Sequence, residues 1–224
     1  MGSTVGAILP LAIGIAISPI PIIAAILMLL SPKAKGTSIG FLLGWVVGIL
    51  LAVSVFTLLS AVLPGGGADG SNPIHGVIQL VLGAALLVLA LRRWRTRPHP
   101  GEDAAALPQW MSAIDTMNPG KGFGLGFLLA AVNPKNLLLG ASAGVTIGSA
   151  GLSAGSIAVV IVVFTVIAAA SVAIPVVAYL MASKRMSGPL ASLRGWLVHN
   201  NATIMAVLLL VIGFVLIGKG LGSF

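Results

Sequence analysis

The 224-residue chain has no cysteine, one tyrosine and only four acidic residues, and charged side chains make up just 7% of it. Without cysteine it can form no disulfide, thiolate metal site or thiol relay. The four acids, Asp69, Glu102, Asp103 and Asp115, all fall between long apolar runs. Hard metal cations need carboxylate oxygens, so export of a divalent metal through those runs is disfavoured. The same lack removes the usual proton-carrying acid and leaves Lys135 or a histidine as the titratable groups for coupling. His75 and His199 fall near the ends of apolar runs and His99 in a connection, where histidines are ordinarily interfacial. No nucleophile motif, phosphate loop or metal-ligand cluster stands out, so neither enzymatic activity nor a cofactor or metal is expected.

What the chain does have is hydrophobicity, 58% of its residues, together with a formal charge of +8. A nucleic-acid surface would cluster that charge on a solvated face, whereas here Lys and Arg alternate with apolar spans. The composition is that of an all-α integral membrane protein. Six spans fit the runs at 5–30, 39–63, 74–91, 123–147, 156–181 and 197–217. The N-terminal run lacks the positive flank of a signal peptide and is expected to be a retained first span.

Orientation follows from the cations, because cytoplasmic connections carry the excess of Lys and Arg. Ten of the twelve fall on one side: Lys33 and Lys35, then Arg92, Arg93, Arg95, Arg97 and Lys121, then Lys184, Arg185 and Arg194. Only Lys219 falls on the other, and Lys135 lies within a span. Both termini are therefore expected outside the plasma membrane.

Two spans are interrupted. Asn133-Pro134-Lys135-Asn136 cuts the fourth and Ser18-Pro19-Ile20-Pro21 cuts the first. Proline removes a backbone hydrogen bond, and such a break is tolerated at membrane depth only inside protein or beside a water-filled cavity. Lys135 follows the start of its span by roughly 18 Å at about 1.5 Å per residue, near the middle of a core of about 30 Å. Lys135 is retained there to bind an anionic group, or else it snorkels to the cytoplasmic interface along its stem, and desolvation works against its charge. Ser18, Asn133 and Asn136 supply neutral donors and acceptors, and Pro19, Pro21 and Pro134 free carbonyls for substrate or water. These seven residues are the candidate substrate site. Gln79, Ser142 and Thr146 read as packing glue between helices.

A shift of 115 positions, as from Ser18 to Asn133, also takes Pro19 to Pro134, Pro21 to Asn136, Ser31 to Thr146 and Gly40 to Gly155. Later the shift is 130, as from Gly83 to Gly213. With three spans in each half, the halves enter the membrane from opposite faces, so the expected architecture is two inverted three-helix repeats, residues 1–93 and 122–224. The linker 94–121 places Trp110, Ile114 and Met117 at helical spacing, as in a short interfacial helix. Glycines at every fourth position, Gly36 to Gly48 and Gly140 to Gly148, let helices approach closely, within one subunit or at a homodimer seam.

The run PQWMSAIDTMNPGKGFGLGFLLAAVNPKNLLL, with SPIP in the first span, resembles the GAP/Sap (glycopeptidolipid- and sulfolipid-addressing) family of actinobacterial membrane proteins, within the LysE transporter superfamily. The resemblance extends over nearly the whole chain. It implies a LysE-like exporter or flippase for an anionic cell-envelope lipid, glycolipid or precursor, with the transport site at the two breaks. Two other functions fit the same residues: a small-solute exporter for an amino acid or similar compound, and a non-transporting assembly partner of lipid-export machinery.

Overall fold

The computed structural model describes residues 1–61, 73–97, 113–114 and 116–223. Among these the structure is helical, with no strand. The helices are α1 (Gly2–Ala16), α2 (Pro19–Leu29), α3 (Ala34–Ala61), α4 (Pro73–Arg95), α5 (Pro119–Ala131), α6 (Pro134–Gly148) and α7 (Ala154–Leu221). α7 is kinked at Ala182 (φ −146°, ψ 52°) into a first limb, Ala154–Ser183, and a second, Arg185–Leu221. Four helices are long and apolar enough to cross a membrane: α3, α4 and the two limbs of α7. The number rises to six if α1 with α2, bent by 51°, and α5 with α6, bent by 62°, each form one span. Outward side chains such as Leu58, Val166 and Ile174 are more than 60% exposed, as a hydrocarbon-facing surface requires.

The helices run a few residues beyond the expected spans at several ends, and two of the differences have a clear local reason. α5 begins at Pro119 rather than Phe123, because the Asn118 side chain accepts from Lys121 N at 2.8 Å and Pro119 fills the first helical position. The expected connection between the last two spans is helix: Lys184, Arg185 and Arg194 all lie within α7, and the chain leaves helical geometry only at Ala182. Charge lowers hydropathy there without lowering helix propensity. Most of the expected interfacial helix, residues 98–112 and Asp115, lies outside the described residues, as do His99 and the connection at 62–72. Ile114, which is described, is buried in the core, with Met117 packed against it.

The glycine stripes pack within the chain. Gly40 and Gly44 face the backbone of Pro119 and Phe123 on α5, and Gly126 of α5 faces the backbone of Phe41 and Trp45 in return. Gly144 of α6 lies against Phe56 and Thr57, further along α3. α3 is thus a spine that fixes both halves of the second bent pair. A Cβ at Gly44 would collide with the Phe123 carbonyl, whereas one at Gly124 would meet nothing within 4 Å. We expect Gly44→Ala to destabilise the fold by about 1–3 kcal/mol, the usual cost of overpacking, and Gly124→Ala to change it little. Thermal unfolding in detergent measures both, and equal midpoints would contradict this packing. α4 crosses the second limb of α7 in the same way, at Gly83 and Gly213.

Candidate functional site

Both helix breaks have one construction. Pro19 and Pro134 carry no N–H, so neither can continue the helix before it, but each suits the first position of a new one. The upstream helices close with Ile17 N to Ile13 O and Val132 N to Leu128 O, both 2.9 Å. The next carbonyls along, Gly14 O and Leu129 O, lie 115 positions apart and are met by side chains instead. Lys135 Nζ donates to Gly14 O at 2.7 Å, and Asn136 Nδ2 donates to Leu129 O at 2.9 Å. One carbonyl is therefore capped from its own half and the other by a cation from the opposite half.

Lys135 also explains a missing cap. Asn133 caps α6 through Oδ1, which accepts from Lys135 N at 3.0 Å. Ser18 occupies the same position before α2 and makes no such bond; its Oγ accepts from Lys135 Nζ. The ammonium sits in the first turn of its own helix, where the dipole opposes a cation, and is directed at the C-terminal carbonyls of α1, where a dipole favours one. Lys135 is only 4% exposed, so its stem does not snorkel to an interface. An ammonium has three N–H donors, of which two have partners among the described residues.

Lys135 also lines a cavity of about 90 Å³ where the two breaks meet, together with Ser18, Ile20, Pro21, Leu89, Arg93, Asn133, Pro134, Met205 and Leu209. At roughly 10–15 Å³ per water it has room for several waters or a small oxyanion. Five of the seven expected site residues line it. Pro19 is buried and does not line it, and Asn136 serves the α5–α6 break, its Oδ1 buried without a partner among the described residues. Arg93, exposed in the last turn of α4, was read from sequence as one more cation of the cytoplasmic connection. The buried stripe of α4, Gly76, Gln79, Gly83, Leu86 and Ala90, carried three residues further, points to it. The lining thus has a buried lysine, an exposed arginine and, among the described residues, no carboxylate.

The other polar residues form a separate set. Gln79 Nε2 donates to Thr146 Oγ1 and Ser142 Oγ donates to Gln79 Oε1, both at 3.2 Å, which ties α4 to α6. Ser60 Oγ lies 3.3 Å from His75 Nε2 and ties α3 to α4. The contacts of Gln79, Ser142 and Thr146 join helices, as expected of them, whereas His75, expected at the interface, is buried between helices. His199 is exposed on α7.

Long apolar helices and two bent pairs whose breaks meet at a buried lysine define a multi-pass membrane protein with a polar site in its interior. A family model described as Sap, sulfolipid-1-addressing protein, matches residues 8–222, and the chain belongs to that family. No curated protein and no solved structure matches it.

Proposed function

We propose that this protein exports or flips an anionic cell-envelope lipid, glycolipid or lipid precursor across the plasma membrane, and that Lys135 binds the headgroup. The observation that carries the reading is the buried Lys135 at the junction of the two breaks, with Arg93 lining the same cavity. The family description, which names a sulfolipid, supports an acidic lipid as cargo. A headgroup entering past Arg93 brings an anionic oxygen to the remaining Lys135 donor, where attraction between opposite charges in a site shielded from water exceeds the bonds to the uncharged Gly14 O and Ser18 Oγ. The polar centre also lets the headgroup cross the hydrocarbon without being fully desolvated.

In this reading the chain consists of two inverted three-helix repeats, LysE-like, that rock about the crossing of α4 with the second limb of α7. Support comes from Gly83 and Gly213, which the shift of 130 aligns and which face each other: a Cβ on Gly83 would lie 3.0 Å from Gly213 O. Equivalent residues meet where a pseudo-two-fold axis passes between helices. The matched carbonyls at Gly14 and Leu129 agree with this.

Purified protein in vesicles tests the function. We expect an anionic lipid to change leaflet and an amino acid not to cross. Amino-acid flux without lipid movement would favour the small-solute exporter, and neither activity, with a copurifying complex, the assembly partner. Orientation is tested in cells, using the cysteine-free chain. Asp69→Cys should react with an impermeant thiol reagent and Ala104→Cys should not, since the cation bias puts residue 104 in the cytoplasm. The reverse pattern would overturn the topology.

A further inference from the structure

Each proline break leaves a carbonyl without its helical donor, Ile15 O before Pro19 and Ala130 O before Pro134. At the second break no neighbouring amide takes over, because Val132 N turns back to Leu128 O at 2.9 Å and Lys135 N is held by Asn133 Oδ1. Ala130 is 2% exposed, so bulk water does not reach its carbonyl either. The carbonyl before each of these two is met by a side chain, and the side chains differ. Lys135 Nζ serves the end of α1, whereas the end of α5 is served by the neutral amide of Asn136. That amide brings an acceptor of its own. Asn136 is 1% exposed, and its Oδ1 is buried without a partner among the described residues. Turning the amide over would set Oδ1 against Leu129 O, acceptor on acceptor, so its orientation is fixed. The end of α5 therefore gathers buried oxygens at the negative pole of a helix, with no cationic side chain bonded to them among the described residues.

We propose that this end of α5 binds a sodium ion, held by Asn136 Oδ1, Ala130 O and the second lone pair of Leu129 O. The ion closes the end of α5 as Lys135 Nζ closes the end of α1. Its role is structural and separate from the headgroup reading, since neither Asn136 nor Ala130 lines the Lys135 cavity. The ligands decide the class of ion. All are uncharged, whereas divalent cations need carboxylates, and the four acids of the chain fall between its apolar runs. Size then decides among monovalent ions. α3 presses on this part of α5, where a Cβ on Gly48 would lie 2.6 Å from Ala130 Cβ and 3.0 Å from Phe127 O, so a compact site favours Na⁺ over K⁺. Water is the rival occupant. It has two hydrogens for three acceptor positions, while a cation satisfies all three and also suits the helix dipole. Broken-helix C-termini with unwound carbonyls are the places where membrane transporters hold Na⁺.

The test is thermal unfolding of the whole purified protein in detergent, in NaCl, KCl and choline chloride at one ionic strength, which keeps screening constant. We expect the midpoint in NaCl to exceed that in choline chloride by roughly 5–10 °C once Na⁺ is in about hundredfold excess over its Kd, with KCl close to choline chloride. Equilibrium binding of radioactive sodium should saturate at a single ion for each chain. Asn136→Ala should lose both signals. Asn136→Asp keeps an oxygen at the site and adds a charge, so it should bind at several-fold lower Na⁺ concentration, and it carries the test where the alanine variant does not fold. Equal midpoints in the three salts would assign the oxygens to water, and an equal rise in KCl would contradict the compact site. A sodium shift retained in Asn136→Ala would place the ion elsewhere. Each of these three results overturns the inference.

Discussion

Lys135→Met is expected to abolish lipid translocation, by at least about a hundredfold, while the protein still inserts and unfolds at a temperature near that of the wild type. Removing one partner of a desolvated, hydrogen-bonded charge pair costs 2–5 kcal/mol or more, and about 2.8 kcal/mol is a hundredfold. Folding should survive because replacing a buried charge by an apolar side chain of similar length is often neutral or better. The cost that remains is Gly14 O, which loses its Lys135 donor and must find water. Lys135→Arg keeps the charge, but a planar guanidinium replaces a compact ammonium in a cavity of about 90 Å³. It should therefore be impaired rather than wild type. Asn136→Ala should differ in kind, costing stability through the loss of its bond to Leu129 O and leaving transport mostly intact. Translocation by Lys135→Met at the wild-type rate and expression would show that the ammonium serves only the backbone of α1.

The second large effect is at Arg93. In the last turn of α4, Arg92, Arg93 and Arg95 follow one another closely, yet only Arg93 lines the cavity. Arg93→Gln should reduce transport about tenfold, since a hydrogen bond to a charged group is worth about 1.5 kcal/mol at the low end appropriate to an exposed, solvent-screened side chain. Arg95→Gln should change it by about twofold or less, as surface substitutions do. Because Arg93 is exposed, the difference between the two variants should shrink as salt is raised. Initial rates in vesicles at two ionic strengths measure this. Equal effects at Arg93 and Arg95 would make the cluster a topological signal and nothing more.

The breaks and the lysine were legible in the sequence because each violates what an apolar span tolerates. A proline removes a donor, a serine or asparagine before it offers a cap, and a lysine in the middle has no cheap solvent. The glycine stripes were legible for a similar reason, although their spacing alone left open whether they face a neighbour in the same chain. Three features were not legible. Arg93 was hidden because one cation among five on the same connection carries no mark of the direction it faces; only the buried stripe of α4 identifies it. The helix through Lys184, Arg185 and Arg194 was hidden because hydropathy reports where a membrane is left, not where a helix ends. Which role Asn136 takes, donor to substrate or partner of the interrupted backbone, was hidden too: one residue along a helix turns a side chain by about 100°, and Asn136 Nδ2 meets Leu129 O.

A structure of the protein in a bilayer disc that contains an anionic lipid would show whether the two broken helices form one anion site around Lys135. Headgroup density is expected in the cavity between Ser18, Asn133 and Arg93, with an anionic oxygen about 2.7–2.9 Å from Lys135 Nζ. A headgroup bound elsewhere, with only water in the cavity beside Lys135, would rule the site out.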